Sequence, residues 1–481
     1  MPEAETRSVF RLLLQQLPYS PTAGQEKAMQ KLAFFLTDSW KDPTAVFVLK
    51  GYAGTGKTSL ISALVSVLPH LRRRSCLMAP TGRAAKVLAG YTGRPANTIH
   101  RKIYFARTTK EGSIALKLQQ NRHKDTLFIV DEASMIQNSS ISDFTLFNGR
   151  NVLDDLFYFV STGENCRLLL IGDPAQLPPV GTEHSPALDF GFLKKAYHLT
   201  IDSYELTEVV RQEETSGILA NATSVRRQIN RGDWELPLFD LASRTDTRKI
   251  GGPELEEELN NAYSRSGREN NVVICRSNKR ANIFNQEIRR RILYLEEEIN
   301  AGDQMMVVKN NYYWLPEESS AGFIANGDTI ELMRIRKIEE LYGFRFADVT
   351  VRFLDYPEEK ELDVKILLNT LTTEAPALPS ADSNRLFHEV MKDYEEIPSR
   401  RGRIEKVKLN PYFNALQVKF AYALTCHKTQ GGQWETVFVD QGFLSEKMMN
   451  TEYLRWLYTA ITRATKKLYF VNFESRFFLG G

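Results

Sequence analysis

Short apolar, β-rich runs alternate with stretches of helical periodicity in two separate regions of the chain. The first region holds "AVFVLK" (45–50), "CLMAP" (76–80), "TLFIV" (126–130) and "RLLLIG" (167–172). The second holds "VVICRS" (272–277), "TVFVD" (436–440) and "LYFV" (468–471). Strands that are apolar throughout are buried on both faces, which is the state of a parallel sheet covered by helices. Two such sets predict an α/β protein with two parallel-sheet domains.

Two inserts interrupt the alternation. Residues 101–125 contain "IYFARTTKEGSIALKL", two strand-like arms around Lys110, Glu111 and Gly112, which predicts a β-hairpin. Residues 300–415 carry "QMMVVKN", "DTIELMRIRKI", "FRFADVTVRFL" and "ELDVKILL", with turn chemistry such as Asn326-Gly327-Asp328 between them. Several short strands of this kind predict a small antiparallel barrel. A helix over 382–394 and the basic run "RRGRIEKVK" (400–408) complete the insert. The expected division is a first domain over 1–195, a second over 196–299 and 416–481, and the barrel over 300–415.

Composition narrows the class. With 42% hydrophobic and 25% charged residues the 481-residue chain is a folded, multi-domain protein rather than a disordered one. A net charge of +3 is too mild to announce a polyanion binder, so any such site must be a local groove. No apolar run reaches membrane-spanning length, and the N-terminal residues lack the pattern of a secretory leader. Cys76, Cys166, Cys275 and Cys426 are scattered singly, as reduced thiols in a cytoplasmic protein would be. The seven histidines show no metal-ligand spacing.

The candidate chemistry begins at "GYAGTGKTS" (51–59), a phosphate-loop pattern after a strand and before a helix. Glycines there let backbone N–H groups curl around phosphate oxygens at a helix N-terminus. Gly51, Ala53, Gly54, Thr55, Gly56, Lys57, Thr58 and Ser59 are the candidate nucleotide contacts. Lys57 is expected on the phosphates and the Thr58 hydroxyl on Mg²⁺. In "FIVDEASM" (128–135) two carboxylates follow a buried strand, where parallel sheets bind ligands. Asp131 is the expected Mg²⁺ ligand and Glu132 the group that orients and deprotonates water. In "LLLIGDPAQLPPVG" (168–181), Gln176 is placed to sense a γ-phosphate.

In chain order come Gln25 in "TAGQEKAM", the phosphate loop, "APTGRAAKVL" (79–88), "TIH" (98–100), "VDEASM", "GDPAQLPPVG", "LTEVVRQ" (206–212), "TCHKTQGG" (425–432) and "YTAITRA" (458–464). With these motifs the chain resembles a superfamily-1 helicase of the RecD and Dda branch. The segment after "DEASM" lacks the further signature of the telomere-associated sister branch, which places the resemblance nearer RecD and Dda. It implies two RecA-like motor domains with a pin-like hairpin and an SH3-like barrel. It implies an ATP- and Mg²⁺-dependent DNA helicase that moves on single-stranded DNA 5′→3′ and opens duplexes at single-strand/duplex junctions. A monomeric, intracellular motor, nucleoid-associated when bound to DNA, is the matching expectation. A motor subunit of a recombination or nuclease complex and an RNA-directed relative are the rival readings.

Residue roles follow from the same resemblance. Gln25 would read the adenine edge, as an amide can both donate and accept. Arg211 and Arg463 would be arginine fingers from the second domain or its border, reaching the γ-phosphate held on the first. Pro80, Thr81, Thr98, His100, Thr425, His427 and Lys428 would line a nucleic-acid groove and touch backbone phosphates. Lys86 is a groove or surface lysine. Tyr104 and Phe105 fit either an apolar wedge against the first base pair or an anchor for the hairpin. Arg400, Arg401, Arg403, Lys406 and Lys408 form a solvated face or a strand contact.

Overall fold

The computed structural model describes residues 2–108, 114–138, 151–210, 216–241, 245–315, 323–356 and 358–479. Strands β1 (Ala45–Gly51), β2 (Arg74–Ala79) and β3 (Ala96–Thr98) precede a hairpin of β4 (Tyr104–Thr108) and β5 (Ile114–Leu118). Then come β6 (Thr126–Val130), β7 (Arg167–Gly172) and β8 (Thr200–Leu206). Outside the hairpin these six strands make one parallel sheet in the order β3-β2-β6-β7-β1-β8. Side chains alternate between two cores. Phe47, Leu49, Ile129 and Ile171 pack under the helices Ala23–Thr37 and Lys57–Val67. Val46, Val48, Phe128 and Leu170 face the helix Val152–Ser161.

The second half repeats the plan. β9 (Thr247–Ile250) and β10 (Asn271–Cys275) come first. β11 (Gln304–Val307), β12 (Thr329–Leu341), β13 (Phe344–Phe353), β14 (Leu362–Leu367) and β15 (Leu416–Phe420) then close a barrel. β16 (Ala423–Thr425), β17 (Trp434–Asp440) and β18 (Ala464–Val471) complete a parallel sheet in the order β16-β10-β17-β18-β9. The expected α/β architecture, two parallel sheets with a hairpin and a small barrel, is the one observed.

Two of the three boundaries drawn from sequence shift. β8 pairs with β1 along its whole length, so the first sheet runs to Leu206 and not to 195. β15 pairs with β11 and β14, so the barrel ends at Phe420 and not at 415. β8 reads "TIDSYEL", and only Leu206 of it is buried. Its membership is decided by backbone pairing, which composition does not reveal. The expected helix at 382–394 spans Ser380–Lys392, and the basic run is the helix Arg400–Lys408. Arg403 Nε donates to Ile397 O and Arg401 pairs with Glu405 at 3.4 Å, while Val407 anchors the helix in a satellite core.

The hairpin turn at Lys110, Glu111 and Gly112 lies outside the described residues. Tyr104 is buried and its hydroxyl donates to Asp155 at 2.7 Å, whereas Phe105 is 40% exposed. Tyr104 thus anchors the hairpin, and Phe105 presents an apolar face. The barrel and its flanks dock on the first domain. Tyr312 and Phe323 join that domain's core, and Lys86 Nζ donates to Leu354 O at 2.9 Å. No helix among the described residues is long and apolar enough to cross a membrane.

Candidate active site

β1 ends at Gly51 and the helix Lys57–Val67 starts at the far side of a tight loop. Gly54 and Gly56 hold φ of 72° and 82°, a left-handed backbone that favours glycine. Thr55 Oγ1 donates to Tyr52 O, and Lys57 Nζ donates to Gly51 O and Tyr52 O at 2.7 and 2.8 Å. A β-carbon on Gly56 would stand 2.2 Å from Gln25 Nε2. Gln25 is fully buried. Its Nε2 donates to Thr55 O at 3.1 Å, and its Oε1 accepts from Thr22 N in a capping box. Its amide is used on both sides to brace the phosphate loop from below.

The strand-end acids sit opposite. Asp131 Oδ2 accepts from Tyr91 Oη at 2.6 Å and Oδ1 from Glu132 N at 2.9 Å. Burial, with Glu132 adding to it, holds the Asp131 carboxyl above the usual carboxylate range. Glu132 takes a left-handed φ of 52°, an unusual state for a non-glycine residue. That turn aims it away from the strand. Asp173, just past β7, is buried and raised by that burial, and its Oδ1 accepts from Ala175 N.

The second sheet supplies the far wall through the helix Thr451–Ile461. Tyr458 Oη donates to Asp173 Oδ2 at 2.7 Å and accepts from Ala53 N at 2.8 Å. One hydroxyl therefore ties the phosphate loop to the segment after β7. Thr459 Oγ1 accepts from Leu177 N, and Gln430 Nε2 donates to Leu177 O. Arg463 is 4% exposed. Its Nε donates to Thr459 O at 3.1 Å and one Nη to Gly432 O at 3.2 Å. That same Nη lies 3.7 Å from Glu132 Oε1. Sequence reading missed Asp173 and Tyr458. The signal was a tyrosine on the apolar side of "YTAITRA" and an aspartate in "GDPAQ", both polar within buried stretches.

These residues fit a magnesium nucleotide. Gly54, Gly56 and Lys57 are half-buried at the mouth of the loop, and Thr58 is exposed at the helix start. Gln176 is 6% exposed, and its Oε1 has no hydrogen-bond partner among the described residues. A buried carbonyl without a partner marks a place for a ligand or water.

Comparison with known proteins agrees. Residues 21–244 match the AAA domain model, and residues 420–471 match the UvrD-like helicase C-terminal domain. The chain is 33% identical over 175 residues to the ATP-dependent RecD2 DNA helicase of Deinococcus radiodurans, covering 36% of this chain and 21% of that protein. It is 27% identical over 216 residues to the ATP-dependent DNA helicase dda of Enterobacteria phage T4, covering 44% of this chain and 43% of that one. The chain thus joins an AAA domain to a UvrD-like helicase C-terminal domain and is similar in part to the RecD2 and dda helicases. An uncharacterized protein, R530 of Acanthamoeba polyphaga mimivirus, matches at 24% identity over 93% of this chain and 99% of its own length. A solved Bacteroides Pif1 helicase in complex with ADP-AlF3 and ssDNA shares 15% identity over 96% of this chain and 95% of that one, with a TM-score of 0.45.

The second expected arginine, Arg211, lies outside the described residues. Val210 N donates to Gly54 O at 2.9 Å, so the segment leading there crosses the phosphate loop. That segment continues from β8 and so belongs to the first sheet, not the second.

The expected groove residues divide. Thr81 caps the helix Gly82–Thr92 through Ala84 N, with Pro80 half-buried before it. Thr98 is 2% exposed and caps the next helix through Arg101 N. His100 packs against Tyr104 and Phe323, and burial pushes its pKa down to about 4. Both are engaged within the protein, Thr98 as a helix cap and His100 against Phe323 from the segment before β12. A β-carbon on Gly82 would lie 2.6 Å from Tyr356 Oη and 2.7 Å from Asp328 Oδ1. On the other side Thr425, His427 and Lys428 begin a short helix after β16. Burial, with Lys419 adding to it, lowers Lys428 to about 7, and burial lowers His427 as well.

Proposed function

We propose that this helicase is an ATP-driven motor that translocates 5′→3′ along single-stranded DNA and separates duplexes at junctions. The observation that carries the reading is the seam itself, where Arg463 of the second sheet reaches Glu132 of the first at 3.7 Å. Residues 53–58 and Lys57 hold the phosphates of ATP, and Thr58 with Asp131 holds Mg²⁺. The cation, when bound, neutralises phosphate charge. Glu132 accepts a proton from the attacking water. Arg463, with Arg211 as its partner, stabilises charge on the transferring group, and Gln176 senses the same group. Because Arg463 and Tyr458 come from the second sheet, hydrolysis requires the seam to be shut.

Thr81 and Pro80 on one side and Thr425, His427 and Lys428 on the other grip the DNA backbone. Opening and closing of the seam changes their separation and moves the strand. Opening one base-pair step costs about 1.4 kcal/mol on average, a modest demand on one cycle. Access to Gly82 requires the barrel residues Asp328 and Tyr356 to lift from the helix start. ATP hydrolysis with and without single-stranded DNA tests the reading, followed by displacement assays on substrates with opposite tails. DNA stimulation and a 5′-tail requirement are expected. Stimulation by RNA alone, or a 3′-tail requirement, would contradict it.

A further inference from the structure

Beside the segment that carries Gln176 lies a cleft of about 470 Å³, open to solvent between the two sheets. Lys50 at the end of β1, Ser134, Asp173 and Gln176 line it from the first sheet, with Ser185 from the loop beyond and Arg455 from the helix Thr451–Ile461. Four polar atoms of this lining are buried and have no hydrogen-bond partner among the described residues: Ser134 Oγ, Gln176 Oε1, Ser185 Oγ and Arg455 Nε. Ser134 is 1% exposed and Gln176 6%. Buried polar atoms are normally satisfied, so four around one cleft describe a site shaped for a polar ligand.

The charges define its class. Lys50 contributes an ammonium group and Arg455 a guanidinium, whose one Nη donates to Glu183 O at 2.8 Å. Two carboxylates share the lining, and Asp189 with Glu205 acts on the Lys50 ammonium. Asp173 accepts from Tyr458 Oη and Ala175 N, and Asp189 accepts from Phe192 N. Asp173 is held toward its neutral form by burial and Asp189 is exposed at the rim, which leaves two cations, two hydroxyl donors and one free carbonyl acceptor to match a tetrahedral oxyanion carrying one proton. The cleft also begins next to the reacting centre. Ser134 follows Glu132 by two residues, and a β-carbon on Gly172 would lie 3.0 Å from Ser134 N.

We propose that this cleft is the exit site for the inorganic phosphate released from ATP, held between Lys50, Ser185 and Arg455 with its proton donated to Gln176 Oε1. The proposal rests on the motor reading above, since that reaction supplies the phosphate. Arg455 lies on the same helix as Tyr458, so opening of the seam dismantles the exit site and frees the anion. Phosphate departure is thereby coupled to the domain movement.

Equilibrium dialysis of radiolabelled inorganic phosphate against the full-length, nucleotide-free protein tests the site. Lys57→Ala removes the phosphate-loop contact and should leave one phosphate bound. Adding Lys50→Met or Ser185→Asp to it should weaken that binding by about tenfold or more, as the loss of a charge-assisted contact does. Ser185→Asp serves if Lys50→Met does not fold. Loss of all phosphate binding in Lys57→Ala alone would overturn the site. For the exit role, rapid-quench bond cleavage is compared with phosphate appearance at a fluorescent phosphate sensor. A longer lag between the two in Ser185→Asp is expected, and an unchanged lag would overturn it. Dialysis needs neither turnover nor DNA, so failure of the motor reading shows separately, as hydrolysis that DNA does not stimulate.

Discussion

Arg463 and Glu132 approach to 3.7 Å across the seam between two different sheets. The guanidinium is nearly buried: the nitrogen facing Glu132 also donates to Gly432 O, and the other two donate to Thr459 O and Thr462 Oγ1. A buried ion pair recovers little stability, because desolvation offsets the attraction. What this pair does is fix a position. The arginine is aimed at the strand-end acids before any substrate arrives, and such preorganised charge is what phosphoryl transfer uses.

Glu132→Gln keeps the shape of the side chain and removes its ability to take a proton. Nucleotide binding should persist, and hydrolysis should fall by about two to four orders of magnitude, the usual contribution of a general base. Fluorescent-nucleotide titration alongside turnover measurements checks both halves. Loss of binding in this variant would show that Glu132 holds the loop rather than the water.

Tyr458→Phe deletes one hydroxyl and leaves two groups exposed to its absence, Ala53 N and Asp173 Oδ2. Unpaired buried groups cost about 1–3 kcal/mol each, so a measurable loss of stability is expected. The phosphate loop also loses its tie to the second sheet, so KM for ATP should rise. Denaturant unfolding and steady-state kinetics measure these effects. Unchanged stability together with unchanged KM would mean the seam is not closed in solution.

Asp328 gives a pH test of barrel docking. Burial, with Asp355 adding to it, pushes its carboxyl up to about 8 against an ordinary value of 3.8. Between those values the folded protein keeps a proton that the unfolded chain has released, so this group's contribution to stability declines as pH rises. Asp328→Asn cannot ionise and should gain on the parent over the same window. Above about pH 8 the parent carries a bare carboxylate at the start of the helix Gly82–Thr92, and its barrel should undock more readily. Urea midpoints of both proteins across the window decide this. Parallel curves would contradict the assignment.

The phosphate loop and the acids at Asp131 and Glu132 were legible in sequence because their chemistry is local, a few residues between a strand and a helix. The position of Arg463 was legible only through the resemblance, since nothing near residue 463 names the sheet it faces. The contacts of Gln25 within the protein were not legible, because its partners Thr22 and Thr55 meet only in the fold. β8 and β15 were assigned to the wrong side of their boundaries because short strands are placed by pairing, not by composition. Tyr458 was hidden among apolar neighbours on its helix. His100 matched the groove motif, and no local pattern announces its contact with Phe323 more than 200 residues later.

Single-turnover ATP hydrolysis by Arg463→Ala in saturating single-stranded DNA, paired with its nucleotide affinity, tests the seam most directly. Affinity should change little, while the hydrolysis rate should fall by about three to five orders of magnitude, the usual loss with an arginine finger. Hydrolysis at the parent rate would mean that Arg463 only ties together carbonyls within the second sheet.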